Sequence, residues 1–370
     1  MFIRPHKPTP EPHTRHSLRD LGYQIDPDDG QVRSINTNEP FAFTEDPASK
    51  KANIELYNTL IHPASRAVQD IMTDTLHMEP IAVPDAGQPH CFIYATPGAL
   101  SGDKLVVLVV GNGTFGSVWA WNVLLKQGIH HGSVIDYVRD CEHRGLGVLV
   151  LNPNMNIVAP DGVAESYNSY VGRGTEIKGS ETADEHVGYV WSHMLRDSPV
   201  RSIAFVAYNT SGSAVIDLLK YDYSRFVEKT ACVAFIDSTH SLFDLGSGSI
   251  AWLELGAQHW ETSVNGNPTS VDRVGCPVVA VDNTTETREM TPSLCRNGVV
   301  EYVTECVERG PVPGAIEFGD GQNNAANLAQ LLDDLSESDS EGADGIPNRL
   351  SNVTMNQTFE VKEDGYIGWD

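Results

Sequence analysis

Chemistry in this chain, if there is any, centres on Ser202-Ile203-Ala204-Phe205-Val206-Ala207-Tyr208-Asn209-Thr210-Ser211-Gly212. Six apolar or small residues read as a buried strand. The polar stretch after it reads as a tight turn into a helix. A turn of this kind presents a nucleophile when small residues flank a serine at its tip. Small residues do stand two before and two after the tip, Ala207 and Ser211, but the tip itself is Asn209. A carboxamide cannot be deprotonated to attack a carbonyl, so the expectation is a catalytic scaffold without its nucleophile. Ser211 would be the nucleophile only if the turn slid by two residues. That shift puts Asn209 where the crowded turn wants a small residue, so Ser211 reads as a packing residue in the helix's first turn.

Other polar residues follow strand-like runs. Gly111-Asn112-Gly113-Thr114-Phe115-Gly116 comes after an apolar run, and its glycines allow backbone N–H groups to turn towards a ligand. Asn152-Pro153-Asn154-Met155-Asn156 opens a long loop, and Thr182-Ala183-Asp184-Glu185 has capping-box spacing. His186 then falls in a first helical turn and reads as a packed histidine. Asp237-Ser238-Thr239-His240 places an acid at a strand end with a histidine three residues on. In a working triad an acid orients a histidine that activates a serine, so His240 would serve only with its ring turned towards Asn209. Otherwise Asp237 bonds loop amides. After Asp282 the loop runs Asn283 to Thr291 and contains Arg288. No histidine follows His259, so the general base is missing from the last strand's loop. The expected site gathers Asn209, Asp237 and Arg288 at the strand ends, without a nucleophile at the tip or a base in the last loop. The expected pocket adds Gly111, Asn112, Gly113, Ser211 and His240. An arginine and backbone amides there suit a carboxylate or phosphate. No metal set or cofactor is expected.

These residues need a scaffold of alternating strands and helices. Strands are expected at Pro80–Val83, Cys91–Ala95, Lys104–Val110, Gly147–Asn152, Ser202–Ala207, Thr230–Asp237 and Pro277–Asp282. Helices are expected near 117–127, 133–144, 183–196, 212–220, 249–260 and 292–307. Continuous Val, Leu, Ile and Ala runs fit a parallel sheet with helices on both faces. The predicted class is α/β, doubly wound and α/β-hydrolase-like, with sites outside the carboxyl ends of the strands. A helix over Pro47–Leu76 is predicted to kink or split at Pro63. A small β-element is predicted over Gln31–Ile35 and Phe41–Phe43. Residues 1–17 read as a disordered arm, 18–308 as one domain and 309–370 as an acidic, disordered tail. In that tail Ser336 and Ser338 each precede an acidic residue by three positions, the spacing favoured by acidophilic kinases.

The chain has 370 residues, 40% of them hydrophobic, and a formal charge of −25. That charge and the lack of Lys/Arg-rich stretches oppose direct contact with nucleic acid. No apolar run is long enough to span a membrane, and no secretory signal is seen. The six cysteines form no C-x-x-C pair and read as buried thiols of a reducing compartment.

From about Leu21 to Val303 the chain resembles the argonaute-binding-protein-two (Arb-type) domain family. The matching pieces are Leu21-Gly22-Tyr23, Gly30-Gln31-Val32-Arg33, Glu39-Pro40-Phe41, Lys104 to Leu108, Gly147 to Asn154, Glu185 to Trp191 and Ala234 to His240. That family includes a fungal subunit of an argonaute chaperone complex, animal co-transcriptional regulators and the carboxyl-terminal domain of some fungal histone deacetylases. Animal relatives carry a histidine-serine-tyrosine-glycine-glycine elbow where this chain has Tyr208 to Gly212. Their threonine-glutamate-arginine-histidine segment looks like Thr285-Glu286-Thr287-Arg288 here, so the resemblance implies a degenerate triad in which Asn209 replaces the serine, Arg288 replaces the histidine and Asp237 remains. The resemblance implies a non-catalytic adaptor in small-RNA-directed silencing and heterochromatin assembly. It implies an argonaute partner, a further silencing-complex subunit, indirect contact with chromatin factors, and a nuclear location with a cytoplasmic pool allowed. A hydrolase-like enzyme or small-molecule binder using Asn209, Asp237 and Arg288 is the competing expectation.

Overall fold

The computed structural model describes residues 16–43, 50–111, 113–166, 174–263, 271–283 and 287–312. All of them belong to one compact unit within residues 1–322. The eight-stranded sheet is built from β1 (Glu79–Val83), β2 (Cys91–Ala95), β3 (Lys104–Val109), β4 (Gly147–Val150), β5 (Ser202–Tyr208), β6 (Thr230–Ile236), β7 (Ala257–Ser263) and β8 (Val278–Asp282). Its order is β1-β2-β4-β3-β5-β6-β7-β8. Only the β1–β2 and β2–β4 pairs are antiparallel. In register, Val206 faces Ala234 on one side, while Phe205 faces Val107 on the other. Every residue of β5 and β6 is buried, as the unbroken apolar runs require of strands covered on both sides. The fold is α/β and hydrolase-like.

Side chains three apart on a strand point to opposite faces, and β5 shows both coverings. Phe205 packs at ring-centroid distances of 6.3 Å from Trp191 and 5.9 Å from Phe226. Tyr208 instead meets Trp119 at 6.0 Å, and Trp119 meets Tyr137 at 5.2 Å. The Tyr137 hydroxyl then donates to the Pro292 carbonyl at 2.6 Å, tying the two helices of that face together.

The helices that position the site are α1 (Lys50–Asp70), α2 (Ile135–His143), α3 (Ala183–Val190), α4 (Ser211–Tyr221), α5 (Ser247–Gly256) and α6 (Thr291–Arg309). Helix α3 opens with the anticipated cap: Thr182 Oγ1 accepts from the Glu185 N–H at 3.1 Å and bonds the Glu185 carboxylate at 3.0 Å.

Three expectations need correction. The region 249–260 is not one helix; α5 stops at Gly256 and β7 follows, inserted between β6 and β8. Its Ala257-Gln258-His259-Trp260 has no clean period-two alternation, because Ala257, His259 and Trp260 are all buried. Helix α1 is not split at Pro63, which lies within it. The hairpin near the amino terminus pairs Tyr23–Ile25 with Val32–Ser34, and Phe41–Phe43 forms no strand. A further small antiparallel sheet, Ile157–Val158 with Ala164–Glu165 and Thr175–Glu176, lies in the long loop after β4.

Candidate functional site

Asn209 sits at the tip of the β5–α4 turn with φ 56, in the left-handed region. Asparagine tolerates that region better than most residues, because its short polar side chain can bond locally. The turn is pinned from both sides. The Asn209 N–H donates to the Ile236 carbonyl at 2.9 Å, and its own carbonyl accepts from Gly212 at 3.3 Å and Thr239 at 3.4 Å. The strained elbow is therefore present with an amide at its tip. Two residues on, the buried Ser211 hydroxyl lies 2.9 Å from the Val109 carbonyl and 2.8 Å from that of Tyr208. Its one proton is committed to main-chain acceptors, and no imidazole bonds it.

Across from the tip, Gly111 approaches so closely that a Cβ there would stand 3.1 Å from Asn209 Cβ and from the Tyr208 carbonyl. The glycine loop is held by an asparagine network. Asn154 Nδ2 donates to the Gly111 carbonyl at 2.8 Å and to that of Thr114 at 2.6 Å, and Asn152 Oδ1 accepts from Gly116 at 2.8 Å. The Gly113 carbonyl accepts from Trp121 Nε1 at 2.9 Å. Asn112 lies outside the described residues. His186 supports this network. Its Nε2 accepts from the Asn152 N–H at 3.3 Å and its Nδ1 bonds Ser180 Oγ. Full burial pushes its pKa down to about 3, so it is a neutral structural histidine.

Asp237 ends β6 at φ 42. Its Oδ1 accepts from the Thr262 N–H at 2.9 Å. Its Oδ2 is buried with no hydrogen-bond partner among the described residues. Burial raises its pKa, opposed by the Thr291 hydroxyl, the Thr262 amide and the Arg288 charge. The Thr291 hydroxyl donates to the Arg288 carbonyl at 2.8 Å, so it lies beside Asp237 without bonding Oδ2. Arg288 starts a 3₁₀ turn, Arg288–Met290, and is exposed. The degenerate triad positions thus gather at the carboxyl ends of β5, β6 and β8.

The structure adds residues that the sequence did not single out. Glu289 Oε2 is buried without a partner among the described residues. The Tyr208 pKa is raised by burial first, then by Asp237 and Glu289. Burial, assisted by Glu289, raises that of Tyr57 to about 12. Asp237 and Glu289 thus both bear on Tyr208, the last residue of β5. Glu289 adjoins Arg288 in sequence, and that adjacency was the available signal.

His240 is not brought to this place. Its ring is buried and stacked on Phe235 at 4.2 Å, Nε2 donates to the Val274 carbonyl at 2.9 Å, and Nδ1 accepts from Ser238 Oγ at 2.8 Å. Ser211 instead borders a cleft of ≈ 330 Å³ between the first turns of α3 and α4. Among the described residues no three His, Cys, Asp or Glu side chains group as metal ligands. None of the six cysteines forms a disulfide and all are buried, and burial raises the pKa of Cys91 to about 11 and of Cys141 and Cys276 to about 12. Ser336 and Ser338 lie outside the described residues.

Residues 14–265 match the family model described as the Arb2 domain. The chain belongs to the Arb2 domain family. The chicken protein named cotranscriptional regulator ARB2A homolog is 26% identical over 326 residues, 75% of this chain and 78% of that one. The mouse cotranscriptional regulator ARB2A is 25% identical over 327 residues, with the same coverage. Among solved structures, a histone deacetylase from Saccharomyces cerevisiae has a TM-score of 0.46 at 13% identity, covering 68% of this chain and 98% of that one. A Pyrococcus furiosus esterase has a TM-score of 0.40 at 9% identity, covering 64% of this chain and 93% of that one. In this Arb2 domain the elbow tip, strand-end acid and last-loop position hold Asn209, Asp237 and Arg288.

Proposed function

We propose that this Arb2 domain is a non-catalytic adaptor in cotranscriptional regulation. One observation carries the reading: the elbow keeps its left-handed geometry with Asn209 at the tip, while the neighbouring Ser211 hydroxyl is spent on main-chain carbonyls. Geometry without a nucleophile or base leaves a shaped surface rather than an acyl-transfer centre. The relatives' names, which describe regulators, support the same direction. The finer proposal is an argonaute partner, small-RNA-directed silencing with heterochromatin assembly, and a nuclear location. A further silencing-complex subunit belongs to the same proposal. The charge of −25 suits a basic protein partner and would speed its association.

The test is a tagged pull-down from nuclease-treated nuclear extract, followed by mass spectrometry. Recovery of an argonaute after nuclease treatment is the expected result. Failure of the purified pair to associate at both low and moderate salt would remove the argonaute proposal.

A further inference from the structure

A second cavity, of ≈ 200 Å³, lies away from the elbow tip. Three pieces of structure wall it. Helix α1 turns His62, Arg66 and Gln69 into it, spaced for one helical face. His90, Phe92 and Tyr94, at the period of two that aligns one face of a strand, form the second wall. The turn from Gly162 to Glu165, with Met155, forms the third.

Its interior carries the rings of Phe115, 4% exposed, and Tyr94, 7% exposed, beside the buried polar side chains of Ser65 and Asn152. Its mouth is apolar, with Phe92 at 41% and Val163 at 39% among the most exposed large hydrophobic side chains described. The volume suits one aromatic ring with a short substituent, since an apolar cavity of about 150 Å³ accepts benzene.

The charged groups define the substituent. Glu165, only 8% exposed, stands on the hairpin wall, its carboxylate 3.5 Å from His62 Nδ1. Arg66 stands one helical turn beyond His62 on the opposite wall. These groups already have partners. An anionic ligand would meet the buried Glu165 carboxylate on one wall and a cationic one the Arg66 guanidinium on the other, so a single charge of either sign is opposed. A ligand carrying both signs can enter the network and keep it balanced.

We propose that this cavity binds an aromatic α-amino acid. The ring lies among Phe92, Tyr94 and Phe115, the carboxylate is directed to Arg66 and the ammonium group to Glu165. This inference stands independently of the adaptor reading, because it uses none of the elbow residues.

The test titrates the full chain with L-phenylalanine, following the methyl resonances of Val163 and Met155. N-acetyl-L-phenylalaninamide, which keeps the ring and loses both charges, is the comparison probe. The expected Kd for L-phenylalanine is below about 1 mM, with the uncharged probe weaker by about tenfold or more. Arg66→Gln should weaken L-phenylalanine by about tenfold and leave the uncharged probe unchanged. Phe92→Ala should weaken both. The proposal is overturned if neither methyl moves at about 10 mM L-phenylalanine, or if the two probes bind equally. Should Arg66→Gln fail to fold, the two-probe comparison on the wild-type chain decides.

Discussion

The hydroxyl of Ser238 occupies the space that a side chain at Gly212 would need. A Cβ on Gly212 would also stand 3.0 Å from Ser238 Cβ and 3.2 Å from a ring carbon of Phe235. The elbow helix and the loop after β6 are thus in contact through the absence of one side chain. Ser238 cannot simply rotate away, because its Oγ lies 2.8 Å from His240 Nδ1. Gly212→Ala should therefore destabilise the domain by about 1–3 kcal/mol through overpacking. Ser238→Ala alone should cost about 1 kcal/mol by leaving a buried ring nitrogen unpaired. The double variant should be less destabilised than the sum of the two, because the alanine methyl is met by no hydroxyl. Urea unfolding of the four proteins measures this coupling, and strict additivity would contradict the contact.

Restoring the serine should not restore an enzyme. In Asn209→Ser the hydroxyl would stand at the elbow tip, but Arg288 holds the last-loop position and His240 is bonded to Val274 and Ser238. Without a base the hydroxyl stays protonated and a poor nucleophile. The expected outcome is no labelling of Asn209→Ser by a fluorophosphonate, and a small loss of stability because serine is less suited to φ 56. Labelling of the wild-type chain that disappears in Ser211→Ala would instead revive the hydrolase reading.

Much of the scaffold was legible because its signals are local. The apolar runs of β3, β5 and β6 could be nothing but covered strands, and the elbow showed itself as small residues flanking one polar tip. Strand β7 escaped because its first four residues follow a helix directly and three of them are buried, which removes the alternation that marks a strand. The site was half legible. Asp237 and Arg288 could be placed by their strand ends. The direction of the His240 ring could not, since it depends on the Val274 carbonyl, 34 residues away. Glu289 left a mark only as the neighbour of Arg288, and its influence on Tyr57 and Tyr208 crosses between elements, which spacing does not record.

Acid should weaken this domain through its buried histidines. Burial holds His259 down to about 4, with neighbouring His240 adding to the effect, and His186 to about 3, against an ordinary value of 6.5. As pH falls below 6.5 the unfolded chain takes up protons at these positions and the folded chain does not. The proton count therefore favours unfolding, and stability falls from about pH 6.5 until the folded values are reached. His259 offers the cleaner test because, among the described residues, its ring makes one hydrogen bond, accepting from the Ser238 N–H at 2.9 Å through Nε2, while Nδ1 has no partner. In His259→Gln the side-chain carbonyl can accept that N–H and nothing there titrates. The variant should lose less stability between pH 6.5 and 4 than the wild type, even if it starts lower at pH 7.5. Asp237 acts in the opposite sense, since its raised pKa means that protonation on acidification favours the folded state, but it is common to both proteins and drops out of the difference. Thermal unfolding at several pH values across this window checks the slope, and parallel curves for the two proteins would show that His259 is not held neutral by burial.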